Sequence, residues 1–295
     1  MGKSSNKVIQ REAAVVEPPP NSLLRRAALS AVPAVTAGFW VTKVLTTGMG
    51  ETGADFLFHD QLGMIALPLA GLALLAALVL QFGARRYVPW IYWLAVSMVS
   101  VFGTMAADIT HQLGIPLLAS TAFYAGALGL IFIVWYLTEK TLSFHSIYTR
   151  RREAFYWATV LATFALGTAA GDMTADTLNL GFLASGIMFA AAMAVPLVAY
   201  KWFNLNSIAA FWIAYVLTRP FGASFADWGA SPTFRGGLGW GTGPITLVLL
   251  IAIVGFVGYY QVRASRKEED LVVEEVPSSI STPLADTERR TLSVD

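Results

Sequence analysis

An all-α polytopic membrane protein, with eight transmembrane helices arranged as four parallel two-helix repeats, is what this 295-residue sequence predicts. Three observations lead there: eight apolar runs of membrane-spanning length, basic residues confined to alternate loops, and a motif that returns four times at fixed offsets. The chain is 56% hydrophobic and 13% charged with a mean hydropathy of +0.58. That is more apolar side chain than one soluble core of this length can hide, which excludes a soluble enzyme. The net charge of +1 leaves no basic face for nucleic acid, so none is expected as a partner. With no cysteine, structural disulfides and thiolate metal sites are excluded together, and the three His and the carboxylates remain as ligands or proton carriers.

Residues 1–28 carry Lys3, Lys7, Arg11, Arg25, Arg26 and the Pro18-Pro19-Pro20 break, and read as a disordered tail without a cleaved signal peptide. The membrane domain follows over 29–263. Its apolar runs lie near 32–54, 63–83, 89–108, 115–137, 153–173, 179–200, 206–227 and 243–262, and each is long enough to cross a hydrocarbon layer of ~30 Å. The pairs of runs define repeats at about 32–83, 89–137, 153–200 and 206–262. Residues 264–295, rich in Glu, Ser and Thr, read as a second disordered tail.

Basic residues follow the even-numbered runs: Arg85 and Arg86, then Lys140 and Arg150 to Arg152, then Lys201, then Arg263, Arg266 and Lys267. The opposite loops hold Arg235 alone. The positive-inside rule therefore predicts that both termini are cytoplasmic.

Each odd-numbered run opens on an aromatic pair, Phe39-Trp40, Tyr92-Trp93, Tyr156-Trp157 and Phe211-Trp212. Ten residues after each Trp stands a glycine, Gly50, Gly103, Gly167 and Gly222. Five further on stands an aspartate, Asp55, Asp108, Asp172 and Asp227. The chain contains nine Asp, so four coincidences of both offsets point to duplication of a two-helix hairpin. A hairpin returns to its starting side, which makes the four copies parallel about an axis along the membrane normal.

The segments Phe39-Trp40 through Gly50-Glu51-Thr52-Gly53-Ala54-Asp55, and Gly167-Thr168-Ala169-Ala170-Gly171-Asp172, resemble a bacterial family of membrane-anchored proteins built from four copies of a repeat of unknown function. The resemblance covers roughly residues 35–262. It implies the eight-helix fold and a multi-pass protein of the bacterial inner membrane, and carries no activity with it.

Fifteen helical residues rise about 22 Å, so Trp and Asp of one copy stand near opposite faces of the hydrocarbon. Residues four before each aspartate share its face: Glu51, Thr104, Thr168 and, without an oxygen, Ala223. One turn beyond the aspartates the same face is expected to bear His59, Gln112 and Asp176. Aspartates near a helix C-terminus meet the negative end of the macrodipole and require a compensating cation. That cation is a metal ion, a proton, or one of two intramembrane bases, Lys43 and Arg219. Both bases are expected to face the bundle interior and find a carboxylate or an aqueous cavity. The Trp residues suit an interfacial aromatic belt, and the even-numbered runs suit lipid-facing scaffold packed through Gly and Ala. Pro220 is expected to kink the seventh helix, and Gly236 to Gly241 to form a flexible outer loop.

The expectation is a secondary transporter or exporter of a small cation, not an enzyme. The all-oxygen donor set suits a divalent metal such as Mn or Mg as substrate, with proton coupling as an option. Glu51, Asp55, Asp108, Asp172, Asp176, Asp227, Thr104 and Thr168 are the candidate ion ligands, and Lys43 and Arg219 the charge relay or counter-ions. Two alternatives remain, a metal-dependent hydrolase using His59 and His111, and a non-catalytic sensor or scaffold. Partners are the lipid bilayer, a small cation and, as an open option, further copies of the chain in a homo-oligomer.

Overall fold

The computed structural model describes residues 30–84 and 86–275. The expected N-terminal tail, Arg85 and the part of the C-terminal tail beyond Glu275 lie outside the described residues. Eight long helices and no strand occur among those residues: α1 (Ala37–Asp55), α2 (Ala66–Gly83), α3 (Pro89–Gln112), α4 (Leu117–Glu139), α5 (Arg150–Asp172), α6 (Gly181–Trp202), α7 (Ser207–Ala230) and α8 (Thr242–Glu275).

The odd-numbered helices start at definite local signals. Thr36 Oγ1 accepts from the Phe39 amide, Pro89 opens α3, Thr149 Oγ1 accepts from the Arg152 amide, and Asn206 Oδ1 accepts from the Ile208 and Ala209 amides. Each satisfies or removes a donor that the first turn leaves orphaned. α1 and α5 do not stop at their aspartates; they run on as π-helical turns over Phe56–Leu62 and Met173–Thr177. α7 continues unbroken through Pro220.

α1, α3, α5 and α7 form a closed inner ring in that order, α7 packing back against α1. The even-numbered helices stand outside it. α2 packs on α3, α4 on α5, α6 on α7 and α8 on α1. The packed pair is thus offset by one helix from the sequence hairpin, and α1 and α2 themselves hardly touch. α8 closes the circle through Thr246 Oγ1, which donates to Thr52 Oγ1 at 2.9 Å, and through the Tyr260 and Thr42 hydroxyls at 3.0 Å.

Among the described residues, seven helices are long and apolar enough to cross a membrane: all but α1. α1 buries Thr42, Lys43, Thr46, Thr47, Glu51 and Thr52, which lowers its hydropathy. The bundle tolerates this because α3, α7 and α8 surround α1 and shield its polar groups from lipid. Half or more of α3, α5 and α7 is buried, against less than a quarter of α2, α4, α6 and α8.

Several expectations change. α8 runs to Glu275, beyond residue 263, because the stretch after Arg266 contains no Gly or Pro and several good helix formers. The outer helices do not all pack through glycine: Gly71 meets Phe102 and Gly186 meets Phe225, but Gly126, Gly129, Gly255 and Gly258 face open space. The Gly236 to Gly241 segment is an ordered cap. The amides of Ser231, Leu238, Trp240 and Gly241 donate to the carbonyls of Asp227, Trp228, Gly229 and Ala230, which are the last four of α7. Gly236, Gly239 and Gly241 hold φ of +79°, +74° and +81°, the left-handed backbone this wrap requires.

Candidate functional site

The aromatic pairs form the core of one end of the ring rather than a belt. Trp93, Trp157 and Trp212 are 2%, 3% and 5% exposed, and only Trp40 is half-buried. They interlock with Phe39, Tyr92, Tyr156, Phe211 and Tyr215, and the Tyr92 and Tyr156 hydroxyls meet at 2.6 Å. The α4–α5 connection lies over this plug: Phe144 stacks on Phe211 at 3.8 Å, Ile147 is fully buried, and Trp212 Nε1 donates to the Leu142 carbonyl. Side chains of one inner helix meet those of the next across the axis, so their apolar area is spent inside the bundle.

Seven residues beyond each Trp and three before each repeat glycine, the column Thr47, Ser100, Phe164 and Arg219 faces the ring. Each glycine receives the column residue of the following copy. A Cβ on Gly50 would lie 1.7 Å from Ser100 Oγ, on Gly103 2.8 Å from Phe164 Cβ, on Gly167 2.2 Å from Arg219 Cγ and on Gly222 1.9 Å from Thr47 Oγ1. The glycines are therefore sockets that set how closely the four helices approach. Ser100 Oγ donates to the Thr46 carbonyl and Thr47 Oγ1 to the Thr218 carbonyl, the same bond at two of the four seams.

Arg219, fully buried, reaches across the axis. Its Nη2 donates to Glu51 Oε2, to Thr104 Oγ1 and, at 2.8 Å, to Thr168 Oγ1, while Nη1 donates to the Thr47 carbonyl at 3.0 Å. Thr104 and Thr168 also lie 3.3 and 3.4 Å from Glu51 Oε2. The position equivalent to Glu51, Thr104 and Thr168 in the fourth copy is Ala223, buried and small. Arg219 thus pairs with a carboxylate of another copy.

Lys43 is also fully buried but meets no carboxylate. Its Nζ has no hydrogen-bond partner and lies 4.0 Å from the Phe164 ring centre and 4.4 Å from that of Tyr215. The Arg219 guanidinium carbon lies 5.3 Å from the same Phe164 ring, which stands beside both cations. Where a carboxylate was expected beside Lys43, the structure places two aromatic faces.

Toward the other end of the ring the carboxylates gather. Oxygens of Glu51, Asp172 and Asp227 lie within 4.8 Å of one another, and this is a set of potential metal ligands. Asp55 and Asp108 interact electrostatically with this group. Five carboxyl groups therefore act on one another, with the Arg219 guanidinium beside them.

The residues expected one turn beyond the aspartates leave the axis. His59, Gln112 and Asp176 are exposed, and Asp176 pairs at 3.4 Å with Arg235. In α1 and α5 the cause is the π turn: a wider turn rotates the fourth residue off the face of its predecessor. His111 is exposed as well, so the two-His ligand set of the hydrolase alternative is not assembled around the carboxylates. Phe164, Tyr215 and the Thr47 carbonyl belong to the site and were missed. Reading the column seven after Trp down all four copies would have exposed Phe164 and Thr47 beside Arg219.

A family model described as a repeat of unknown function, DUF347, matches residues 91–141, 155–205 and 210–266, that is, the second, third and fourth copies. Neither the curated proteins nor the solved structures contain a match.

Proposed function

The chain belongs to the DUF347 repeat family, and from that premise and the charge balance inside its helix ring we propose that it moves a small cation across a bacterial cell membrane as a secondary transporter or exporter. The observation that carries this is the excess of acid: Glu51 and Asp227, buried, and Asp55, Asp108 and Asp172, half-buried, interact with one another, and among the described residues the cation that acts on Asp108, Asp172 and Asp227 is Arg219. Burying several carboxylates without counter-charge is costly, and a bound cation removes that cost. The donors are oxygens throughout, which favours Mg²⁺ or Mn²⁺ as substrate, with proton exchange as the coupling reaction. The bands of Arg and Lys at the aromatic end make that end cytoplasmic. On this orientation the aromatic plug seals the inner side, and the carboxylates are reached from outside.

The test is cation flux into liposomes containing the full chain, followed with an entrapped Mn²⁺- or Mg²⁺-sensitive dye. Asp55→Asn, Asp108→Asn and Asp172→Asn are each expected to slow flux at least tenfold with the fold retained. Flux that is unchanged in all three overturns the proposal.

A further inference from the structure

We infer, resting on the transport function proposed above, that the Arg219 guanidinium is a tethered occupant of a cation site, and that the substrate ion advances by displacing it from Glu51, Thr104 and Thr168. The acceptors around Arg219 come from each of the three other copies: Glu51 and the Thr47 carbonyl from the first, Thr104 from the second, Thr168 from the third. One carboxylate, two hydroxyls and one carbonyl are the donor types that hard cations take. The fourth copy contributes no side-chain oxygen at this repeat position. Ala223 stands there instead, and its small side chain leaves the axis to Arg219. Three copies thus build the cage and the fourth fills it.

Two further observations separate this from a static pillar. The Nε–H of Arg219 is buried with no acceptor, so the guanidinium is hydrogen-bonded through its two terminal nitrogens alone. Oxygens of Asp172 and Asp227 lie within 4.8 Å of those of Glu51, so an ion resting on these aspartates is next to the carboxylate that Arg219 holds. A divalent ion that binds Glu51 competes with the guanidinium for one acceptor, and when the ion leaves, the side chain returns. The exchange keeps the site charge-compensated in both states, which an empty cage of this acidity would not be.

The test uses the full chain in nanodiscs with ¹⁵N-labelled arginine. Arg219 is the fully buried arginine of the described residues, so its guanidinium protons exchange slowly with water, and its signal is assigned by its loss in Arg219→Lys. Titration with Mg²⁺ is expected to shift this signal and to speed its proton exchange at least tenfold. Asp172→Asn is expected to raise the Mg²⁺ needed at least tenfold. Calorimetry is expected to show Arg219→Gln binding Mg²⁺ at least tenfold more tightly, because the internal competitor is gone. Mg²⁺ binding by the wild type with an unchanged Arg219 signal overturns the inference and leaves transport standing. Absence of both binding and flux of Mg²⁺ and Mn²⁺ removes the transport function, and the inference with it.

Discussion

Gly222 of α7 lies so close to Thr47 of α1 that an added Cβ would come within 1.9 Å of the threonine hydroxyl and 3.0 Å of the Val44 carbonyl. This contact joins the last repeat to the first. The same socket recurs at Gly50, Gly103 and Gly167, each filled from the next helix around the ring.

Alanine at a socket glycine should therefore separate two helices. Gly222→Ala and Gly103→Ala are expected to cost about 1–3 kcal/mol each, the usual cost of overpacking a well-filled core. Gly126→Ala and Gly255→Ala, in open space, should stay within about 0.5 kcal/mol of the wild type. Thermal unfolding in detergent distinguishes the two pairs, and equal shifts would contradict the socket.

Removing one member of the buried Arg219–Glu51 pair leaves the other unpaired. Arg219→Met or Glu51→Gln alone is expected to destabilise by about 3–5 kcal/mol, and the double variant by much less than the sum. A double-mutant cycle in detergent measures the coupling. Additive losses would show that the two charges do not depend on each other.

Lys43 should behave in the opposite way. Its ammonium group has no hydrogen-bond partner, and the two aromatic faces return about 2 kcal/mol at most. Lys43→Met, similar in length and apolar, is expected to match or exceed the wild type in unfolding temperature. A clear loss of stability would mean that the charge itself holds the ring together.

Tryptophan fluorescence tests the aromatic plug. Variants retaining only Trp93, Trp157 or Trp212 should emit at short wavelength and resist quenching by iodide and by brominated lipid. Variants retaining only Trp202 or Trp240, which are 68% and 62% exposed, should be quenched. Equal quenching of both sets would restore the interfacial belt.

Much of this architecture is legible in one dimension. The eight helices follow from run length, and the inner helices from the recurrence of Trp, Gly and Asp at fixed offsets. Glu51, Thr104 and Thr168 share a level because they share a repeat position. What stays hidden depends on which copies touch. Whether α2 packs on α1 or on α3 depends on the tilt of the connecting turns, which composition does not encode. The π turns after Asp55 and Asp172 displace His59 and Asp176, and no local residue type marks them. The Trp residues carry the same signature at a lipid interface and in an aromatic plug. Their burial follows only from the closeness of the helices, which the glycine sockets allow.

α1 bears Lys43 and Glu51, and the helices that shelter it include α7 and α8, which follow it by more than 150 residues. During synthesis α1 thus leaves the ribosome before the helices that shelter it and waits while they are inserted. Until Arg219 emerges, Glu51 has no counter-ion, and until Tyr260 and Thr246 arrive, one flank of α1 is bare. Biogenesis then requires the insertion machinery to retain a charged helix that lipid alone would reject, and a chain truncated before α7 should be recognised and degraded.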